Sequence, residues 1–100
     1  MRIITKRRLR EFWQVHPDAE QSLKAWFADA EAATWKTPND IKRAYRNASI
    51  VGGERVVFNV HGNNYRLVVA VDYRDGVVLV KWIGTHREYD AIDVESIGRA

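Results

Sequence analysis

The chain of 100 residues contains no cysteine, so disulfides and thiolate metal sites are excluded. No apolar run approaches the roughly 20 residues of a membrane span. The opening Met1-Arg2-Ile3-Ile4-Thr5 carries no hydrophobic region of a signal peptide. There is no internal repeat, no low-complexity tract and no linker. These absences predict one cytoplasmic domain over residues 1–100, away from membranes. The 46% hydrophobic and 29% charged fractions are ordinary for a globular chain. A chain of this size buries enough surface to fold without staples.

The formal net charge is +3, mildly basic. Placement says more than the total. Arg2, Lys6, Arg7, Arg8 and Arg10 crowd the N-terminus, and Lys42, Arg43 and Arg46 form a second group. For either group alone, a solvated helix face explains the charge better than a nucleic-acid contact does.

Ile3-Ile4 reads as a short strand, with Thr5 as a helix N-cap. Leu9, Phe12, Trp13 and His16 fall on one face of the helix that follows. Pro17 ends it and opens the next, where Asp18 and Glu20 suit the positive end of the helix dipole. Ala19, Leu23, Trp26, Phe27 and Ala30 form the apolar stripe of that second helix, which runs to about Ala33. These aromatics read as core, and His16 as a packed or rim histidine. Thr37-Pro38-Asn39-Asp40 starts a third, short helix with Ile41, Ala44 and Tyr45 inward and Lys42, Arg43 and Arg46 outward. Ile50-Val51 is a short strand and Gly52-Gly53 a turn. From Arg55 the apolar period becomes two. The order predicts an α+β fold in which an N-terminal strand and two to three helices pack on one face of a small, mainly antiparallel sheet.

The meander permits a register argument. His61-Gly62-Asn63-Asn64 as a four-residue loop pairs Val60 with Tyr65, Asn59 with Arg66, Phe58 with Leu67 and Arg55 with Ala70. Asp75-Gly76 is a two-residue hairpin signal. It pairs Tyr73 with Val78, Val71 with Val80, Val69 with Trp82 and Leu67 with Gly84. A bulged alternative would bury Lys81 on the apolar face, at high cost. The expected second face then carries two rows, Asn59–Arg66–Thr85 and Arg55–Ala70–Lys81. His86 stands at the end of its strand, and Tyr89 lies on a helical turn over 88–93. The cluster has no facing carboxylate pair and no metal-ligand spacing. Its cations suit an anion, and His86 or Tyr89 could move protons, so it points to phosphate chemistry without metal. An ordinary solvent-facing sheet surface explains the same spacing equally well.

At these residues the chain resembles a known family. Arg55-Val56-Val57-Phe58-Asn59-Val60-His61-Gly62-Asn63-Asn64-Tyr65-Arg66-Leu67-Val68 and Ile83-Gly84-Thr85-His86-Arg87-Glu88-Tyr89-Asp90 are similar to the hairpin and closing segment of HigB-type toxins. These belong to the RelE-like group of bacterial type II toxin–antitoxin systems. The resemblance implies a RelE-like α+β fold and a metal-independent mRNA endonuclease, needing no cofactor, that typically acts on the translating ribosome. It also implies a cognate antitoxin, often with a helix-turn-helix. In such enzymes the ribose 2′-OH attacks the adjacent phosphate. By the resemblance Arg66 matches the arginine that contacts the scissile phosphate, and His86 and Tyr89 match variable C-terminal polar positions. Lysines that some relatives carry on the preceding strand are replaced here by Val57 and Asn59. The catalytic expectation is therefore Arg66, His86 and Tyr89, with Arg55, Asn59, Asn63, Lys81 and Thr85 contacting RNA or phosphate. Arg7, Arg8, Lys42, Arg43 and Arg46 are expected to meet ribosomal RNA. The alternative is a non-catalytic RNA- or antitoxin-binding module of the same fold.

Overall fold

A computed structural model describes residues 1–97. The elements are β1 (Arg2–Ile4), α1 (Lys6–Val15), a 3-10 turn (Pro17–Ala19), α2 (Glu20–Ala32), α3 (Pro38–Ala44), β2 (Ser49–Val51), β3 (Arg55–Val60), β4 (Tyr65–Asp72), β5 (Val77–Thr85) and α4 (His86–Tyr89). One sheet orders them β1-β5-β4-β3-β2, with β1 parallel to β5 and the other pairs antiparallel. The expected α+β architecture is present.

Local chemistry sets the helix starts. Thr5 occupies the N-cap of α1, but in a left-handed conformation, φ 76°, and its hydroxyl makes no capping bond. α3 has the full capping box: the Asp40 carboxylate accepts from Lys36 N at 2.9 Å and Thr37 N at 3.2 Å. Those backbone donors, Lys36 first, hold the Asp40 carboxyl below its ordinary range. Leu9, Leu23, Trp26, Ala30 and Ile41 are buried in one core with Val56, Phe58, Leu67, Val69 and Val78 of the sheet. Ala44, expected inward, is exposed.

The first hairpin has the expected register from Arg55↔Ala70 to Val60↔Tyr65. His61 and Gly62 sit consecutively at φ 53° and 65°, which a tight right-twisted turn requires. The second hairpin does not follow the expected register. Asp72 pairs with Val77, so the loop is Tyr73-Arg74-Asp75-Gly76, four residues rather than two. The Asp72 side chain accepts from Asp75 N at 2.9 Å, and Gly76 N donates to Asp72 O at 2.9 Å, so the loop is closed by its own aspartate. Val71 then meets Val78 and Val69 meets Val80 before the ladder slips. Val68 pairs with Trp82, Leu67 with Ile83, Arg66 with Gly84 and Tyr65 with Thr85.

Lys81 is the extra residue of a β-bulge. The bulge lets Val80 and Ile83, three apart, both serve the helix-covered core. A single register cannot do this, because side chains alternate with period two. Three expectations fall with it. Gly84, not Thr85, lies across from Arg66; Leu79, not Lys81, lies across from Ala70; and Trp82 shares the face of Arg66 instead of opposing it.

The second face is not the open polar surface expected. Arg55 is 2% exposed, Val68 0% and Arg66 9%. The core helices pack on the other face, so this one is covered by the chain after β5. α4 touches both β4 and β5. The Glu95 side chain lies 4.0 Å from where a Cβ on Gly52 would stand, at the β2–β3 turn.

Candidate active site at the β3–β4 loop and α4

The β3–β4 loop holds the Arg66 guanidinium in place. Nη1 donates to the carbonyls of Asn63 and Tyr65, each at 3.1 Å, and Nη2 donates to Asn63 Oδ1 at 2.6 Å. The loop is itself tied to the helical layer. Tyr65 OH donates to Asp18 Oδ1 at 2.6 Å, and His61 Nε2 lies 3.8 Å from Asp18 Oδ2. The bond to Asp18 raises the Tyr65 hydroxyl pKa, so it remains a donor.

The closing segment is docked against the same loop. His86 N donates to Asn64 O at 3.0 Å, so α4 starts beside the hairpin tip. α4 therefore begins at His86, before the expected start at residue 88. Thr85 caps it: Thr85 Oγ1 accepts from Glu88 N at 3.1 Å, and Glu88 Oε1 accepts from Thr85 N at 2.8 Å. The Thr85 backbone donor, then the Thr85 hydroxyl and the nearby His16, hold the Glu88 carboxyl below its ordinary range. That short helix carries Tyr89 to Arg66, whose Cζ stands 5.9 Å from the tyrosine ring centroid. The Tyr89 ring is in turn 6.3 Å from the Trp82 ring. His86 Nδ1 lies 3.6 Å from Asp90 Oδ2, both side chains well exposed.

Of the expected site residues, Arg66, Tyr89, Asn63 and Asn59 come together, while His86 joins them through its backbone at the loop and its side chain lies beside Asp90. Asn59 is exposed directly across from Arg66. Asn63 reaches Arg66 itself, and Thr85 is committed to the α4 cap. Arg55 is not part of the group. It lies across from Ala70, four residues along β3 from Asn59, or about 13 Å at strand rise. Its Nε and Nη1 are buried without a hydrogen-bond partner among the described residues. Lys81 sits at the bulge, where its carbonyl accepts from Arg8 Nη1 at 2.8 Å. Of the outer basic groups, Arg7 pairs with Glu11 at 2.7 Å, and Lys42 donates to the carbonyls of Arg46 and Ala48.

Sequence reasoning missed two neighbours of this group. Thr85-His86-Arg87-Glu88 is a capping-box pattern, so the role of Glu88 was legible. Trp82 falls on the core face of a uniform ladder and leaves it only through the bulge.

A family model described as HigB toxin, the RelE-like toxic component of a toxin–antitoxin system, matches residues 19–92. The mRNA interferase toxin HigB of Escherichia coli K12 is 26% identical over 92 residues, covering 90% of this chain and 88% of its own. The mRNA interferase HigB of Shigella flexneri gives the same figures. That of Escherichia coli O6:H1 is 26% identical over 94 residues, covering 92% of this chain and 91% of its own.

Proposed function

The chain belongs to the HigB toxin family, the RelE-like toxic component of a toxin–antitoxin system, and from that premise we propose that it is an endoribonuclease that cuts mRNA. The observation that carries this reading is the held guanidinium of Arg66, with Tyr89 against it and the α4 start docked on its own loop. Arg66 Nε makes no hydrogen bond among the described residues and remains for an incoming phosphate oxygen.

The ribose 2′-oxygen attacks the adjacent phosphorus, and the 5′-oxygen of the next nucleotide departs. Arg66 neutralises the charge that builds on the non-bridging oxygens, a preorganised contribution of the kind that dominates many such sites. His86 moves a proton at the 2′-oxygen or the leaving oxygen. Tyr89 positions the ribose or base against Arg66, and Asn59 approaches from across the hairpin. The chemistry proceeds without a metal. Cleavage takes place in the cytoplasm on translating ribosomes, with exposed Arg8, Arg43 and Arg46 beside ribosomal RNA. A helix-turn-helix antitoxin encoded alongside restrains it. No described helix is long and apolar enough to cross a membrane.

Expression with and without the adjacent antitoxin gene tests this reading. Growth arrest with cuts inside reading frames is expected from the toxin alone, and purified cleavage should survive EDTA. Arg66→Ala should remove the cuts while keeping a native circular-dichroism spectrum, with a lower Tm from the lost bonds to the β3–β4 loop. Full cleavage by that variant refutes the assignment, and a wild-type chain that binds RNA without arrest or cleavage makes it a binding module.

A further inference from the structure

We propose that the hollow between α1 and β5 receives the nucleobase beside the scissile phosphate, stacked on Trp82. The inference rests on the endoribonuclease reading and adds a subsite to it. The bulge at Lys81 places Trp82 across from Val68, on the face of Arg66. Its indole lies over Gly84, the residue across from Arg66. A Cβ on Gly84 would stand 2.5 Å from Trp82 Cη2 and 2.6 Å from Cζ2, so only glycine leaves room for the ring. Trp82, Tyr89 and Arg66 form one continuous row, with the 6.3 Å and 5.9 Å separations given above.

Beyond the ring opens a hollow of about 600 Å³, whose walls include Arg8, Phe12, His16, Ile83 and Glu88. That is ample for one base. Of the other tryptophans, Trp26 and Trp35 are at most 5% exposed in the core, and Trp13 lies on α1 with Lys24 Nζ 5.4 Å from its ring, in a separate hollow that it shares with Lys6, Arg10 and Phe27. Trp82 is only partly buried and faces the hollow. A base stacks on such a ring whatever its identity.

The hollow carries charges of both signs: Arg8 lines it beside Glu11 and Glu88, with Arg8 Nη1 already donating to Lys81 O at 2.8 Å and Glu11 paired with Arg7 at 2.7 Å. Glu88 is held ionised by its bonds to Thr85. Carboxylates repel phosphate but accept from the exocyclic amino groups of adenine, cytosine or guanine. The phosphate is left to Arg66, one residue across the ladder from Gly84. The hollow thus selects for amino-bearing bases on one side of the cut.

The test is single-turnover cleavage of an mRNA held on stalled ribosomes, titrated with enzyme. Wild type, Trp82→Leu, Trp82→Phe, Gly84→Ala and Arg66→Ala are compared. The same mRNA is also made abasic on either side of the cut. Trp82→Leu should raise the half-saturating concentration on the order of tenfold, the usual scale for losing one stacked base, with little change in limiting rate. Trp82→Phe should restore most of the loss. Gly84→Ala keeps the indole but displaces it, and should weaken binding in the same direction. The abasic RNA should lose the same factor with wild type and nothing further with Trp82→Leu. A half-saturating concentration unchanged in Trp82→Leu, or abasic and Trp82 effects that simply multiply, overturns the subsite while leaving Arg66 in place. If wild type does not cut at all, the endoribonuclease reading itself fails.

Discussion

Asn63 is expected to act on catalysis through Arg66, and two substitutions with opposite effects on stability expose this. Its Oδ1 takes a 2.6 Å bond from Arg66 Nη2, the one side-chain acceptor the guanidinium has among the described residues. A hydrogen bond to a charged group is worth about 1.5–3 kcal/mol. Asn63 is solvent-exposed while Arg66 is 9% exposed, so solvent screening takes part of that value. Asn63→Ala should therefore lower stability by about 1 kcal/mol, a fall of about 4–8 °C in Tm for a domain of this size. The carbonyls of Asn63 and Tyr65 still hold Nη1. The guanidinium then pivots instead of leaving, and a displacement of about 1 Å can reduce a rate on the order of a hundredfold. The limiting cleavage rate should fall by about ten- to a hundredfold, with the half-saturating concentration nearly unchanged.

Asn63→Asp should separate stability from activity. A carboxylate at the same place pairs more strongly with Arg66, so the Tm should hold or rise. The paired guanidinium presents less positive charge to the phosphate, so the limiting rate should fall further than in Asn63→Ala. Thermal unfolding and enzyme-excess cleavage of ribosome-bound mRNA measure both quantities on the same preparations. A wild-type limiting rate in Asn63→Ala refutes the reasoning. So does an effect confined to the half-saturating concentration, which would mean that Asn63 meets RNA directly.

Two further outcomes follow from the same contacts. The Glu88 carboxyl is held below its ordinary value of 4.5 by the α4 cap, so its contribution to stability is present above that value and is lost as pH falls through the lower folded one. Acid unfolding followed by circular dichroism should show wild type and Glu88→Gln separated above pH 4.5 and drawing together as pH falls below it; parallel curves at all pH values would remove the cap from the account. Arg55 is a buried cation whose Nε and Nη1 have no hydrogen-bond partner among the described residues. Arg55→Met should raise the unfolding free energy read from urea denaturation by on the order of 1 kcal/mol and leave cleavage unchanged; a fall in either refutes a purely buried role.

The helices and the first hairpin were legible because their signals are local. Thr37-Pro38 with Asp40 writes its own capping box, and Pro17 marks the turn between α1 and α2. His61-Gly62 between alternating strands leaves one sensible register for β3 and β4. Arg66 was legible for the same reason, since Asn59 opposite it is polar and exposed. β5 offered no such guide. Val77 through Val80 are all apolar, and Trp82-Ile83 suits either face, so alternation cannot say where the ladder slips. The usable signal was the cost of burying Lys81. It was applied to a uniform strand, whereas a bulge at that residue satisfies it differently. The burial of Arg55 was also illegible, because it depends on chain far along the sequence crossing the second face.

The bulge is what makes the site. Without it the ladder that starts at Asp72 and Val77 would run on uniformly, Trp82 would pair with Leu67 and face the helices, and Ile83 would lie across from Arg66, leaving no floor for an indole. With it, one extra residue puts a glycine across from the phosphate arginine, lays a tryptophan on that glycine, and leaves Thr85 across from Tyr65 to cap α4. The cap fixes the turn that carries Tyr89 back over Arg66. Arg8 of α1 takes the carbonyl of Lys81 at 2.8 Å, so the helical layer holds the slipped strand in place. Deleting Lys81 should therefore restore the uniform ladder and keep the fold. It should also keep cleavage, because Val80 still meets Val69 and Trp82 then follows it across from Val68, so Trp82, Gly84 and Thr85 keep their faces; loss of cleavage in that variant, read on ribosome-bound mRNA, would refute the view that the bulge acts only by setting this register.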